Sequence, residues 1–258
     1  EPTVHKLPAE PTGKGPLDGI RVLDLGLAIA GPFGCQLLGD MGAEVIKMNT
    51  LWDSYWHKCH IAAMANRNKR SFAVMLKHPK GMEALKRLIA TCDVVQHNMR
   101  YPATQRLGLD YETLKKEFPS LVYCHSRGFE EGPRKNLPGN DQTGACLSGI
   151  QHEDGALYTG REDTFPIWSL TSLGDTGNGF LTAVGICNAL MEREKTGKGQ
   201  FVDTSIVNAC LLNTSYAVSK PDGTPVERPR LNFDQTGYGD YYKLYQTEDN
   251  KWIQIAAI

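Results

Sequence analysis

The sequence lacks the features that mark nucleic-acid-binding, membrane or secreted proteins. Its 28 Lys and Arg balance 29 Asp and Glu, and the formal net charge is −1, so it has no basic footprint for nucleic acid or an anionic membrane. No apolar run approaches the roughly 20 residues that cross a bilayer. The first 15 residues hold no apolar core of signal-peptide length. We therefore predict a cytoplasmic protein with no nucleic-acid or membrane partner.

Clustered cysteines are also missing. The chain has seven cysteines, and none forms a C-x-x-C pair. Most lie in apolar runs, which indicates buried, reduced thiols and not a disulfide framework or a zinc site. We predict that the protein holds no metal. The seven positions are Cys35, Cys59, Cys92, Cys124, Cys146, Cys187 and Cys210.

Short apolar runs alternate with amphipathic helical segments in the first half of the chain. This strand–helix–strand alternation predicts a parallel sheet covered by helices. The expected fold class is therefore α/β, with a doubly wound, Rossmann-like parallel sheet. The predicted strands are residues 20–26, 43–48, 71–76, 94–97, 121–125 and 200–206, and the predicted helices between the first five are residues 32–41, 79–89, 101–107 and 111–118.

The second half is less regular. Residues 128–160 are rich in glycine and are predicted to form a long loop, which in a compact domain is usually functional or mobile. A helix is predicted over residues 207–218. The segments 241–244 and 251–257 predict a hairpin.

These patterns divide the chain into three parts. Residues 1–15 are predicted to be a flexible tail or linker, because they are rich in Pro, Gly and Lys. Residues 16–218 are predicted to form the large α/β domain, and residues 219–258 a linker and the start of a smaller second domain. The linker-like beginning and the final apolar strand predict a fragment of a longer or tandem protein.

One carboxylate, Asp175, stands among three glycines in residues 172–179, and an apolar run follows over residues 180–191. The pattern predicts a loop that delivers an acid to the start of a buried helix. Glycine permits close approach of a bulky substrate, and free N–H groups at a helix start bind anions. The local sequence leaves two interpretations open, because Asp is a common helix N-cap as well as a nucleophile.

Two glycine motifs resemble nucleotide-binding signatures without matching them. Gly26, Gly31 and Gly34 do not have the G-x-G-x-x-G spacing, and Asn49 stands where a ribose-binding acid is expected. This argues against a dinucleotide site. Residues 196–199 lack the upstream glycine and the Lys-Ser/Thr pair of a P-loop.

Charged residues cluster around the strand predicted at residues 71–76. The cluster fits a solvated edge or a phosphate-binding rim, since Arg and Lys at strand ends can hold phosphates. His97 and His125 end two other strands, and lone histidines in such places are more often structural. The four cations of the cluster are Arg67, Lys69, Arg70 and Lys77.

Several short segments share their order and spacing with one known family. They are PLDGIRVLD (16–24), AGP (30–32), LGDMGAEVIK (38–47), NKRS (68–71) with LK (76–77), NMR (98–100) with RLG (106–108), GD (174–175) and REKTGKGQ (193–200). With them the chain resembles the class III CoA-transferases, a group that includes formyl-CoA transferase, carnitine CoA-transferases and the related alpha-methylacyl-CoA racemase. The resemblance implies an interlocked homodimer or a pairing of tandem halves, and coenzyme A as co-substrate.

The nucleophilic aspartate of that family falls on Asp175. The resemblance therefore implies an acyl-CoA:carboxylate CoA-transferase. It would move CoA between an acyl-CoA thioester and a carboxylic acid, through an aspartyl anhydride and an aspartyl-CoA thioester. The family's CoA contacts carry over to Ala28, Val74, Met75, Leu76, Lys77, Asn98, Met99, Arg100 and Arg106.

Three features depart from the family pattern. Ile29 stands where the formyl-CoA enzyme often has Gln, and Asn49 with Thr50 replaces an acid and a base. The nearest match to the glycine-rich lid is residues 236–240, which holds fewer glycines and includes Gly239 as a predicted substrate-side residue. The missing lid argues against formyl or oxalate specificity, whereas the residues at 49 and 50 weaken one adenine-side contact.

Two further substrate-side residues, Asn140 and Asp141, bear on the alternatives. The racemase relatives pair the aspartate with a histidine where Asn140 stands, and an amide does not exchange protons near neutral pH. Asp141 could serve instead, so a 2-methylacyl-CoA racemase or epimerase stays open. A third alternative is a non-catalytic CoA-binding half of a tandem protein.

Overall fold

A parallel sheet is at the centre of the protein in its computed structural model, which describes residue 13 and residues 15–52, 60–155, 165–169 and 171–257. Its strands, within those ranges, lie in the order β3-β2-β1-β4-β5-β6, and every neighbouring pair is parallel. This is the doubly wound order, whose direction reverses between β1 and β4, and it confirms the predicted fold class. The strands are β1 (Arg21–Asp24), β2 (Glu44–Asn49), β3 (Lys69–Ala73), β4 (Val94–His97), β5 (Val122–Arg127) and β6 (Phe201–Ser205).

Helices cover both faces of this sheet. Pro79 opens the third helix as predicted, and Gly197, with φ 71°, ends the eighth in the left-handed conformation. No helix within the described ranges is both long enough and apolar enough to cross a membrane. The helices are α1 (Ala30–Asp40), α2 (His60–Ala65), α3 (Pro79–Ile89), α4 (Tyr101–Leu107), α5 (Tyr111–Glu117), α6 (Asp141–Ser148), α7 (Ile150–Asp154), α8 (Leu173–Thr196) and α9 (Ile206–Asn213).

The core consists of two apolar layers, one on each face of the sheet. Val22 and Val94 pack in the layer with α1 and α8, whereas the next residues along their strands, Leu23 and Val95, pack in the layer with α3. Successive side chains of a strand point to opposite faces, so a strand buried on both faces is apolar at every position. This explains why the sequence shows continuous apolar runs here and not an alternating pattern.

A second, antiparallel sheet follows near the end of the chain. Its order is β7-β8-β9, with β7 at Gly237–Gly239, β8 at Tyr242–Gln246 and β9 at Trp252–Ala256. The predicted hairpin is confirmed, and β7 is an additional strand. The division of the chain into a large and a small domain stays a prediction, and nearly all of the predicted tail lies outside the described residues.

Several predicted boundaries are wrong. The passage at residues 128–160, predicted as a loop, contains α6 and α7, and β3 lies at Lys69–Ala73 and not at residues 71–76. Two further differences concern helices, since α9 ends at Asn213 and α8 begins at Leu173, seven residues before the predicted start. The early glycines of α8 indicated a loop, but the structure uses them for close packing between helices.

The first two turns of α8 lack side chains where they approach other elements. A Cβ at Gly174 would lie 2.7 Å from the Cys210 Sγ atom, and one at Gly177 would lie 3.1 Å from the Cβ of Ala209. On the side facing α1, a Cβ at Gly34 would lie 2.8 Å from the carbonyl oxygen of Gly179. Glycine is required here by the helix–helix distance and not by a turn.

We expect Gly34→Ala to destabilise the protein by about 1–3 kcal/mol, because the added methyl group overpacks the α1–α8 contact. Helix propensity alone predicts that this substitution would stabilise the protein. Urea unfolding measures the difference. The matched control is Gly39→Ala on the same helix, whose new Cβ meets a Val45 methyl group at 3.2 Å. Equal stability of the two variants would contradict the proposed packing limit.

Candidate active site at the carboxyl edge of the sheet

At the switch point between β1 and β4, one side chain, that of Asn98, links the two strand ends. Asn98, immediately after β4, accepts a hydrogen bond from the backbone N–H of Leu27 at 2.8 Å and donates one to its carbonyl oxygen at 2.7 Å. The amide therefore holds the β1–α1 loop in place. The next residue of that loop, Ala28, has φ 61°, a left-handed conformation that is uncommon for a residue with a side chain.

A cavity of about 280 Å³ opens at this loop. It brings together four of the residues singled out from the sequence: Ala28, Asn98, Asn140 and Asp175. A neighbouring cavity of about 180 Å³ shares Asn98 and adds Met99 and Arg100. Ligands of open α/β sheets bind at this edge, so the two cavities form a candidate substrate cleft.

Asp175 lies in the first turn of α8 and is half-buried. The position before the helix is taken by Ser172, with φ 48° and no side-chain capping bond, so Asp175 is not the N-cap residue. Burial raises the pKa of Asp175 from 3.8 to about 7, and the nearby carboxylate of Asp141 adds to the rise. Both the protonated and the ionised forms of the side chain are therefore populated near neutral pH.

Asp141 orients this helix start. Its Oδ1 atom accepts a hydrogen bond from the backbone N–H of Asp175 at 2.9 Å. A Cβ at Gly174 would lie 3.0 Å from the same oxygen, so the glycine leaves room for the bond. Asp141 does not line either cavity, and its contact with the candidate nucleophile is through the backbone.

Asn140 has a structural role as well as a place in the larger cavity. It is the N-cap of α6, and its Oδ1 accepts bonds from the N–H and the hydroxyl of Thr143, both at 3.0 Å. Such a cap stabilises a helix by about 1 kcal/mol. The oxygen of this amide therefore points to its own helix.

Beneath the β1–α1 loop lies a buried cluster of charges. The Asp24 carboxylate is fully buried, pairs with Lys69 at 2.7 Å and lies 3.6 Å from Lys47. Burial raises the pKa of Asp24, but the two ammonium groups outweigh this effect and the net shift is downward. Asp24 also accepts a bond from the N–H of Gly26 at 2.8 Å, which ties the cluster to the loop.

The cationic cluster therefore fits the solvated edge at Arg67 and Arg70, whose side chains are exposed, and neither interpretation at Lys69. Lys69 is buried against Asp24, Arg67 pairs with Asp40, and Arg70 pairs with Glu44. Sequence alone does not reveal these partners, because each is 26–45 residues away.

The remaining predicted contacts lie outside both cavities. Residues 74–77, which are Val74, Met75, Leu76 and Lys77, connect β3 to α3, and Met75 is exposed. Arg106 is exposed on α4, and Gly239 ends β7 in the second sheet. Their contacts with CoA or substrate stay predictions. The sequence did not single out Arg127, which lines both cavities and pairs with Asp203 at 2.7 Å.

The two histidines lie together as a neutral stack. The rings of His97 and His125 are 4.5 Å apart, and burial lowers the pKa of His125 to about 4. Its Nε2 atom lies 3.0 Å from the carbonyl oxygen of Met99. No group of three or more metal-ligating side chains occurs in the described part of the chain, and the six cysteines described there are free thiols.

Fold and site together define a doubly wound α/β protein with an acid of raised pKa in its switch-point cleft. The family model of CoA-transferase family III matches residues 17–258. The chain belongs to this family. The resemblance inferred from the sequence is thereby confirmed.

Three comparisons illustrate the relationship. The chain is 35% identical to the succinyl-CoA:glutarate CoA-transferase of Mus musculus over 214 residues, which is 78% of this chain and 48% of that protein. It is 32% identical to the alpha-methylacyl-CoA racemase of Homo sapiens, covering 94% of this chain and 61% of the racemase. The crystal structure of a CAIB/BAIF family protein from Brucella suis is 29% identical, with a TM-score of 0.76, over 94% of this chain and 66% of that one.

The chain thus spans about half the length of the first of these relatives. Family membership follows from the comparisons. The substrates, the oligomeric state and the cellular compartment do not. The interlocked homodimer and the pairing of tandem halves stay predictions.

We expect Asp175→Asn to be more stable than the parent protein at alkaline pH. The raised pKa means that the protonated acid contributes stability below about pH 4, and that this contribution is lost as pH rises through about 7. The neutral amide avoids the loss, so its advantage is near zero in acid and reaches up to about 4 kcal/mol at alkaline pH. Urea unfolding at a series of pH values measures it. Asp222→Asn in an exposed turn is the control and should show no such gain, whereas a pH-independent difference for Asp175→Asn would contradict the assignment.

Proposed function

We propose that the protein is an acyl-CoA:carboxylate CoA-transferase in which Asp175 is the covalent nucleophile. The observation that carries the proposal is the Asp175 carboxylate, which lines the switch-point cavity and has a pKa raised to about 7. Family membership and the CoA-transferases among its relatives support the same reaction class. CoA enters as a co-substrate, and no metal is part of the proposal.

In the first half of the reaction, the Asp175 carboxylate attacks the thioester carbonyl of the acyl-CoA. The C–S bond breaks, an aspartyl–acyl anhydride forms, and CoA leaves as the thiolate. The thiolate then attacks the aspartyl carbonyl of the anhydride, which gives an aspartyl-CoA thioester and releases the donor carboxylate.

In the second half, the acceptor carboxylate attacks the aspartyl-CoA thioester and forms a new anhydride with Asp175. The released thiolate attacks the acceptor acyl carbon of this anhydride. The acceptor departs as its CoA thioester, and Asp175 is regenerated as a carboxylate. No net proton or electron is consumed, since one thioester and one carboxylate are exchanged for another pair.

Two features of the cleft suit this chemistry. Burial weakens the hydration of the Asp175 carboxylate, and its raised pKa indicates a more basic and therefore more reactive oxygen. The start of α1 lies at the same cavity, with Ile29 and Ala30 in its wall. Ile29 provides no side-chain cap, so the first N–H groups of the helix are available for an oxyanion or a carboxylate.

A racemase or epimerase of 2-methylacyl-CoA is the second candidate, because a racemase is among the relatives. That reaction needs a proton donor and acceptor on each side of the substrate α-carbon. Asn140 stands at the position of the second group and uses its oxygen to cap α6. The two activities separate in deuterium oxide: label entering the α-carbon without CoA exchange favours the racemase. A non-catalytic CoA-binding half would bind CoA by calorimetry and form no adduct.

We expect Asp175→Ala to abolish covalent labelling. The full chain is incubated with succinyl-CoA, acetyl-CoA or formyl-CoA and then with hydroxylamine, which converts an acylated Asp175 to a hydroxamate. Mass spectrometry of the peptide that contains residue 175 detects the change. Asp222→Asn is the control and retains labelling. CoA transfer at the parent rate by Asp175→Ala would eliminate the proposed nucleophile.

We expect Asp141→Asn to lower the pH midpoint of hydroxamate formation. Asp141 is the second cause of the raised pKa of Asp175, after burial, so the midpoint falls but stays above the ordinary value of 3.8. The amide oxygen of the variant can still accept the bond from the Asp175 N–H. An unchanged midpoint, measured by labelling over a pH series, would show that the two carboxylates are not coupled.

A further inference from the structure

Asn178 is a buried amide with no partner. Its side chain is fully buried on α8, and neither its Oδ1 nor its Nδ2 atom has a hydrogen-bond partner among the described residues. Leaving such a group unpaired is unfavourable, and most buried polar atoms in proteins are paired. An apolar side chain would be more favourable at this position, so the presence of an amide calls for a functional explanation.

Helix geometry places Asn178 next to Asp175. Residues three apart in an α-helix are neighbours on one face, with Cβ atoms about 5–6 Å apart. Asp175 lines the larger cavity. The same face continues to Thr182, whose hydroxyl lies 2.7 Å from the Oγ of Ser126, and Ser126 also lines that cavity. Asn178 thus lies on this face of α8 between Asp175, which lines the cavity, and Thr182, which is hydrogen-bonded to a residue that lines it.

The neighbouring glycines fix the direction of Asn178. Gly177 faces Ala209 on α9, and Gly179 faces Phe33 on α1. Asn178, between them in sequence, is directed into the gap between the two helices, on the inner side of α8. Asn178 has no contact with solvent and lines neither cavity, so its place beside Asp175 on α8 is what brings the amide near the site.

The proposed reaction has two steps in which the carbonyl group of acylated Asp175 is itself attacked. The aspartyl carbonyl is attacked once by the CoA thiolate and once by the acceptor carboxylate, and each attack places negative charge on an oxygen of Asp175. In the resting structure, burial and Asp141 are the causes of the shift at Asp175, and no hydrogen bond to its carboxylate contributes. A donor for this oxygen would lower the barrier of both attacks.

We propose that Asn178 donates a hydrogen bond from Nδ2 to the aspartyl carbonyl oxygen of the covalent intermediates on Asp175. The inference rests on the proposed function, because it assigns a role in its covalent steps. This role explains why the amide is unpaired in the structure: the bond is made when the aspartyl carbonyl oxygen becomes negative. An interaction made only in that charged state increases the rate.

The test compares two isosteric variants of the full chain, Asn178→Leu and Asn178→Asp. Both lack the amide donor. Leucine removes an unpaired polar group and should raise the midpoint of thermal unfolding, whereas a buried carboxylate near Asp175 and Asp141 should lower it. We expect CoA transfer from succinyl-CoA, acetyl-CoA or formyl-CoA to a carboxylate acceptor, with glutarate as the probe, to fall about 100-fold in both variants, at about pH 8. If Asn178 had a purely structural role, the transfer rate would change in the same direction as the unfolding midpoint and would therefore differ between the two variants.

Asn208→Leu is the matched control, since Asn208 is exposed on α9, and it should change neither rate nor stability. Acylation of Asp175 should still occur in Asn178→Leu, because the first attack places charge on the substrate carbonyl. The hydroxamate should form more slowly than in the parent protein, because hydroxylamine attacks the aspartyl carbonyl. Transfer at the parent rate in Asn178→Leu would overturn the inference and leave the nucleophile intact. If that variant does not fold, parent-rate transfer by Asn178→Asp has the same consequence. Absence of any Asp175 adduct in the parent protein would overturn both proposals.

Discussion

The organisation of the site depends on how closely α8 approaches α1. Gly34 and Gly179 have no side chains at the contact, and a Cβ on either would meet the other helix within 3 Å. This contact brings the first turn of α8 to the cavity beside the β1–α1 loop. Asp175 is thereby partly shielded from water, and burial is the largest cause of its raised pKa. Backbone packing between two helices thus sets the acidity of a side chain at their end.

The protein contains two carboxylates near the same loop with opposite surroundings. Asp24 is buried with Lys69 and Lys47, and its pKa is lowered. Asp175 is buried beside another acid, and its pKa is raised. A buried charge that is paired is held in place, and removal of its partner is strongly destabilising, whereas an unpaired one retains reactivity. The contrast places Asp24 among the groups that support the loop and agrees with the proposed role of Asp175 as the nucleophile.

The sequence predicted the parallel sheet, the final hairpin and the importance of Asp175. Those predictions rest on local patterns: apolar runs buried on both faces, turn residues, and the order of family motifs. The start of α8 was wrong because Gly174, Gly177 and Gly179 have the composition of a loop. Glycine occupies these positions because α8 closely contacts α9 and α1 there, and no local sequence pattern shows such contacts. Lys69 was predicted to lie at an exposed edge, but it is buried against Asp24. The local pattern does not show this contact, because Asp24 is 45 residues away.

By itself, the sequence determined the fold class and the family and singled out Asp175 as the candidate acid, since each follows from residues close together in the chain or from the order of short motifs. Only the tertiary structure decided the surroundings of that acid. The Asp141 carboxylate that binds the N–H of Asp175 is 34 residues away, and the buried amide of Asn178 has no partner among the described residues. Desolvation and hydrogen bonding depend on what surrounds a group in three dimensions, and these contacts exist only once the chain has folded.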